Sequence, residues 1–332
     1  MNTLHAKSPC CQGEVIRFGS RRRQCVICRK TWRIRLKKRG RKPLRVPRTM
    51  VVRYFEKSIG TLSRGIRIPG SREAKRIRMQ HSLSSYLRYD DADHALPDGP
   101  LIAMADAMWY ESEGIECAVY FILLRPINAS YAWILPPVIV PGRESARGWH
   151  IAFEEIPSPL TDRICALVCD GKRALRMIAQ EHHWALQLCH FHLLGKLKHY
   201  ASGHPGTRWE ERGKFILSAV RGLLNTQDET VLARCRNDLL FILDTLSHRF
   251  LKAKLREFRR NLPFYRTYLS YPHLHLPTTT NSAEALIRMV RELLGRARGF
   301  RTVASLERWL RAFCRYRKTI ACRGKSTTEL LC

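Results

Sequence analysis

Two apolar runs are each closed by an aspartate: LIAMA, from Leu101 to Ala105, by Asp106, and RICALVC, from Arg163 to Cys169, by Asp170. A carboxylate at the end of a buried strand must be solvated, hydrogen-bonded or bound to a cation, because an unpaired buried charge is costly. Two such strand ends lying side by side would attract a divalent metal. Asp106 interrupts its apolar run without a neighbouring turn. Asp170 precedes Gly171 and a helical pattern, so there a plain N-cap is the competing explanation. A third acid, Glu284, falls early in the helix-like stretch NSAEALIRMVRELLGR. Leu286, Ile287, Val290, Leu293 and Leu294 form the apolar face of that helix, and Glu284 lies off it with Arg288 and Arg291. An ion pair from Glu284 to Arg288 at i+4 is the alternative role for this acid.

The surrounding pattern predicts strands at 101–109, 117–125 and 131–140, a helix near 144–156, a strand at 163–169, a helix over GKRALRMIAQEHH and a short strand at WALQL. Three consecutive strands followed by strand and helix alternation is the order of an α/β fold with a ribonuclease-H-like core. In that architecture the first and fourth strands are adjacent, which would set Asp106 beside Asp170. Residues 205–277 turn helical and read as an inserted helical subdomain, which leaves the core at 98–204 and 278–320 and a tail at 321–332. Upstream, residues 49–90 hold three short helical patterns separated by Gly60 and by Pro69-Gly70, a spacing that suits a helix-turn-helix. The third helix would start at the N-cap Ser71 and carry Arg72, Lys75, Arg76 and Arg78, residue types that reach bases or phosphates.

Within 1–35, Cys25-x-x-Cys28 forms one metal knuckle and Cys10/Cys11 contribute to another, as in a zinc ribbon. Ser8 stands where a second Cys-x-x-Cys pair would place a cysteine. Cys11, Cys25 and Cys28 are therefore read as three Zn2+ ligands, with Cys10 or His5 as the fourth. So short a segment cannot bury a sufficient core, so bound metal would have to stabilise it. The other eight of the twelve cysteines are scattered through apolar or helical segments, and most are expected to be reduced core thiols.

The chain of 332 residues carries 59 Lys+Arg against 28 Asp+Glu, a formal charge of +31. Such an excess points to a polyanion, with nucleic acid first. Residues 1–48 hold 16 of the basic residues and one acid, Glu14, and 36–48 reads as a flexible basic linker suited to a phosphate track. An anionic membrane is the rival partner, but the arm lacks the bulky apolar face of an interfacial helix. YAWILPPVIVP, the longest apolar stretch, is short and broken by prolines, and no signal-like segment opens the chain. A cytosolic protein is expected.

Phosphodiester cleavage and strand transfer need a nucleophilic oxygen activated and a leaving oxygen stabilised at one phosphorus. Two Mg2+ or Mn2+ ions roughly 3.5–4 Å apart do both, held by carboxylates. Asp106 would bridge them, Asp170 hold one and Glu284 the other. Cys189 and His192 could share a soft metal, but two ligands do not make a site, and a structural or DNA-positioning role is favoured. Trp109 is read as a core residue in preference to a base-stacking one. Arg288, Arg291, Arg296, Arg298 and Arg301, on or just past the Glu284 helix, would hold the DNA backbone beside the metals.

The segments MADAMWYE, LVCDGKRAL, LQLCHFH and TTTNSAEALIRMVRELLGRARGF resemble the core blocks of bacterial insertion-sequence transposases of the Mutator-like superfamily. More narrowly, the chain is similar to the branch with an N-terminal zinc ribbon, over roughly residues 98 to 318. The resemblance implies that Asp106, Asp170 and Glu284 are the catalytic acids and that Asn281 belongs to the block leading to the glutamate. It also matches Cys189 and His192 to a family Cys-x-x-His motif. The implied function is metal-dependent cleavage of the element's terminal inverted repeats in double-stranded DNA and joining to target DNA. Pairing two ends would require a homodimer or larger assembly on DNA. A nuclease or junction resolvase on the same fold, and a non-catalytic zinc-ribbon DNA-binding regulator, are the alternatives.

Overall fold

A computed structural model describes residues 7–19, 22–33, 51–52, 54–55, 71–88, 98–112, 114–202, 208–297, 300 and 302–322. His5, the basic linker, residues 56–70, Arg298 and Arg301 lie outside the described residues, as do the side chains of Arg72, Lys75 and Arg296. The chain divides into two compact units, residues 1–46 and 47–332.

The first unit is a three-stranded antiparallel sheet, β1 (Val15–Arg17), β2 (Arg22–Cys25) and β3 (Thr31–Arg33). Val15 pairs with Cys25 and Gln24 with Thr31. Only Ser8, Gly13 and Cys25 are buried among its described residues, so it has almost no apolar core of its own.

The second unit is built on a seven-stranded mixed sheet. Its strands are β4 (Leu101–Ser112), β5 (Ile115–Pro126), β6 (Tyr131–Ile134), β7 (Val138–Pro141), β8 (Ile164–Cys169), β9 (Ala185–Leu188) and β10 (Thr319–Ala321). Their order is β10-β6-β5-β4-β8-β9, with β7 also paired to β5. The expected strand at 131–140 is thus two strands, because Pro136 and Pro137 lack the amide hydrogens a continuous ladder needs. Ala321, expected in the tail, ends β10, which pairs with β6 through Ile320 and Ala132.

Asp106 closes its apolar run but lies inside β4, which runs three residues beyond the expected strand at 101–109. The antiparallel ladder to β5 continues from Asp106↔Phe121 to Ser112↔Ile115, while parallel pairing with β8 stops at Met104↔Val168. Asp106 therefore sits where one neighbour runs out and the other persists. Trp109, beyond that point, is 50% exposed and so is no core residue.

Alternation along the strands divides the interior. Ile102, Met104 and Met108 of β4, with Val119, Phe121 and Leu123 of β5, face helices α1 (Arg72–Arg88), α10 (Asn281–Ala297) and α11 (Val303–Arg317). Leu101, Ala103 and Ala105, with Ala118, Tyr120 and Ile122, face α2 (Ala146–Glu154), the short α3 (Ser158–Thr161) and α4 (Arg173–Glu181). Burying one such side chain contributes about 1.5–3 kcal/mol. The ends of the helices follow local chemistry: Ser145 accepts the Gly148 amide at 3.1 Å, Thr302 the Ser305 amide at 3.2 Å, and Ser71 the Ala74 amide at 3.3 Å. Gln80 of α1 is tied to α11 through Ser305 and Arg308.

Helices α5 (His190–Ser202), α6 (Arg208–Asn225), α7 (Glu229–Thr245) and α8 (Arg249–Tyr265) enclose a separate cluster around Val220, Leu223, Leu239 and Leu255. The short α9 (Thr267–Ser270) and a 3-10 turn at Pro272–Leu274 lead back to α10. No helix among the described residues is long and apolar enough to cross a membrane.

Candidate metal centre

Strand periodicity places the two aspartates. Residues 102, 104 and 106 of β4, and 166, 168 and 170 along β8 and just past it, point to the α10 face, and Met104 pairs with Val168. Asp106 and Asp170 follow two residues later, Asp170 just past the end of β8, and the Asp170 charge bears on Asp106, but the ligand group around Asp106 is completed by His192 and Glu284 and not by Asp170.

Glu284 reaches Asp106 from the first turn of α10. Apolar residues Leu286, Val290 and Leu293 bury that helix on the sheet, and the side opposite their stripe carries exposed Arg288 and Arg291. The start of α10 is fixed by a sulfur: the buried Cys189 Sγ accepts from the Thr280 amide at 3.3 Å and from Thr280 Oγ1 at 3.4 Å. Next to it, the His190 amide donates to Thr278 O at 2.8 Å, and His190 Nε2 donates to Tyr265 O at 2.7 Å. Burial holds the His190 pKa down at about 4, so this ring is a neutral structural donor. Cys189 is likewise spent on structure.

His192, one turn on, has a different place. Ligand atoms of Asp106, His192 and Glu284 all lie within 4.8 Å of one another, and His192 Nε2 is 3.5 Å from Glu284 Oε1. Burial raises the pKa of Asp106 to about 7, with the Asp170 charge adding to it, and burial followed by the Asp106 charge raises Glu284 to about 7. Burial, with the Lys196 and Lys172 charges beside it, lowers the pKa of His192 against the opposing charge of Asp170. Glu284 Oε1 and His192 Nδ1 are buried without a hydrogen-bond partner. Each such atom costs about 1–3 kcal/mol. Two carboxylates and an imidazole, close together and short of donors, fit a divalent cation.

Asp170 is engaged otherwise. It accepts the Lys172 amide at 3.1 Å and faces Lys172 Nζ at 3.6 Å. Lys172 also pairs with Glu144, which accepts Trp149 Nε1–H at 2.8 Å. Burial alone would lower the Lys172 pKa, but the Glu144 hydrogen bond and the charges of Asp170 and Asp106 raise it. Neither Glu144 nor Lys172 stands out in the sequence: they are 28 positions apart in segments with no metal-like spacing.

Beside the acids opens a cleft of about 1100 Å³ lined by Asp106, His192, Asn281, Glu284, Arg288, Arg291 and Arg317, with β10 along one side. Arg317 was not singled out in the sequence; it ends α11, where charge alone carries no address. Of the basic residues expected to touch DNA elsewhere, Arg76 is exposed and bound to Glu73 in a two-pronged ion pair at 2.5–3.2 Å.

In the first unit, Cys10, Cys11, Cys25 and Cys28 converge and could hold a metal such as zinc. Their sulfurs stand 3.1 Å (Cys10–Cys28), 3.2 Å (Cys11–Cys25) and 3.9 Å (Cys10–Cys11) apart. The edge of a tetrahedron of zinc–sulfur bonds is roughly 3.8 Å. Cys10 is the fourth sulfur of this group, while His5, the other candidate, lies outside the described residues; Ser8 packs against Cys11 at 3.6 Å. The eleven described cysteines are all free thiols. No family model matches the sequence, and no curated protein is significantly similar to it.

Proposed function

We propose that this chain is a DNA transposase with a ribonuclease-H-like core, which binds the terminal inverted repeats of its own insertion element, cleaves at their ends and joins them to target DNA. The observation that carries the reading is the meeting of Asp106 and Glu284, from positions 178 apart, in a cleft rimmed by Arg288, Arg291 and Arg317. A sheet in which the first long strand is antiparallel to the second and parallel to β8 supports the core assignment. The resemblance of the segments around Asp106, Asp170, Cys189/His192 and Glu284 to Mutator-like insertion-sequence transposases supports the activity.

Asp106, Glu284 and Asp170 would hold Mg2+ or Mn2+. Bound there, such ions activate the attacking oxygen and stabilise the leaving one. Arg288, Arg291 and Arg317 hold the phosphate backbone against the acids, and Asn281 lies on the wall of the same cleft. Asp106 is set by a strand paired along its whole length, so its carboxylate stays in place while DNA enters. The zinc ribbon and the helix beginning at Arg72 supply sequence-independent and end-specific contacts.

The test is a strand-transfer assay with labelled DNA carrying the inverted repeats that flank the gene, with Mg2+ and a plasmid target. Joined product from the wild type, and none from Asp106→Asn or Glu284→Gln at unchanged end binding, is the expected result. Nicking without joining would make the protein a nuclease or resolvase. Binding without any metal-dependent cleavage would make it a regulator.

A further inference from the structure

His192 is the member of the metal centre that carboxylate chemistry leaves without a task. Its ring lies in the group formed with Asp106 and Glu284, and Nε2 faces Glu284 Oε1 across 3.5 Å. That gap is too long for a well-formed N–H···O hydrogen bond, and Oε1 receives no other hydrogen bond among the described residues. Two ligand atoms on one cation, each bonded at about 2.0–2.2 Å, stand roughly 3.0–3.5 Å apart. The spacing is that of two lone pairs aimed at a shared ion.

The neighbours sharpen the choice. Cys189 Sγ is taken up by Thr280, at 3.3 Å from its amide, so the thiol is not the partner of His192. Asp170 is already beside a cation, the Lys172 ammonium at 3.6 Å, which Glu144 holds from its other side. Meanwhile the bonds of His190 to Thr278 and Tyr265 and of Cys189 to Thr280 fix the first turn of α5 against the start of α10. Those contacts aim His192 at Glu284.

We propose that His192 is a ligand of the same cation as Asp106 and Glu284, making this a mixed imidazole-carboxylate centre. The inference rests on reading that centre as a divalent-metal site for phosphoryl transfer. Its consequence is a site that takes first-row transition ions more tightly than Mg2+, because imidazole suits them and Mg2+ prefers oxygen ligands.

The experiment uses the full chain with its four-cysteine cluster pre-loaded with zinc, titrated with Mn2+ and followed by electron paramagnetic resonance. Free Mn2+ reports affinity, and pulsed spectra report nitrogen coordinated to the bound ion. We expect directly coordinated nitrogen in the wild type. His192→Ala should lose that signature and bind Mn2+ roughly tenfold or more weakly, and Asp106→Asn should also weaken binding. Binding that depends on Asp106 but shows no nitrogen coupling, or coupling that persists in His192→Ala, overturns the His192 assignment and leaves the carboxylate reading standing. Mn2+ binding unaffected by Asp106→Asn, or none by the wild type, overturns both. The wild-type spectrum needs no variant, so the assignment stays testable if His192→Ala fails to fold.

Discussion

Asp106 and Glu284 carry opposite costs with and without metal. Burial raises each to about 7 from ordinary values of 3.8 and 4.5. Between those limits the folded metal-free protein keeps protons that the unfolded chain has released. The stability contributed by these two groups is therefore fully present below about pH 4 and is lost as pH rises through about 7, whereas the lowered values of His190 and His192 act in the opposite sense. Asp106→Asn should raise the stability of the metal-free protein at pH 8 by about 1–4 kcal/mol and leave it unchanged at pH 4, as read by thermal unfolding. Adding Mn2+ should stabilise the wild type and not the variant. An Asp106→Asn protein with the wild-type pH profile would show that this carboxylate is not the buried group. Asp106 and Asp170 were legible because each closes an apolar run, and Glu284 because it lies off a helix stripe in a segment that resembles a known block. Lys172 and Glu144 were not, because nothing local links a residue before the Ser145 cap to one after Gly171.

Elements place those residues, and tight packing places the elements. α2 lies so close to the sheet that a Cβ on Gly148 would stand 2.0 Å from Tyr120 Oη. The same hydroxyl accepts the Ser145 amide at 3.0 Å. Gly148→Ala should therefore cost about 1–3 kcal/mol by forcing α2 outward, seen as a lower denaturation midpoint, and should loosen Glu144 from Lys172. The helices from 208 to 265 have their own cluster, in which Leu255 is fully buried. Leu255→Ala should remove about 2–5 kcal/mol, and hydrogen exchange should quicken there before it does in β4 and β5. Most strands were legible from apolar runs, and α10 from its apolar stripe. The split of 131–140 at two prolines and the pairing of three-residue β10 were not. A strand that short has no periodicity, and only its pairing with β6 defines it.

At the scale of the whole molecule, the charge of +31 makes binding to DNA a matter of counterion release. If six to ten phosphates are contacted, affinity should fall about 10³–10⁵-fold between 50 and 200 mM salt. A flat salt profile in a filter-binding or anisotropy titration would remove DNA as the partner. The small unit holding the cysteines has so little buried apolar surface that metal would supply its stability. Replacing Cys25 and Cys28 by serine should lower bound zinc by one ion per chain and weaken end binding, with the Mn2+ titration of the acidic centre unchanged. Zinc content equal to that of the wild type would exclude the four-cysteine site.

What the sequence determined by itself was local in origin: a mixed α/β chain, two aspartates on apolar strands, a glutamate off a helix stripe, a cluster of thiols and a strongly basic arm. These follow from periodicity and charge, which neighbouring residues carry. Tertiary structure alone decided which of the candidates share a centre. The anchoring of α10 through Cys189 brings Glu284 to Asp106, the first turn of α5 adds His192, and Asp170 is held by Lys172 instead. Distances among groups 64 to 178 positions apart depend on how strands pair and helices pack, and no local pattern encodes them.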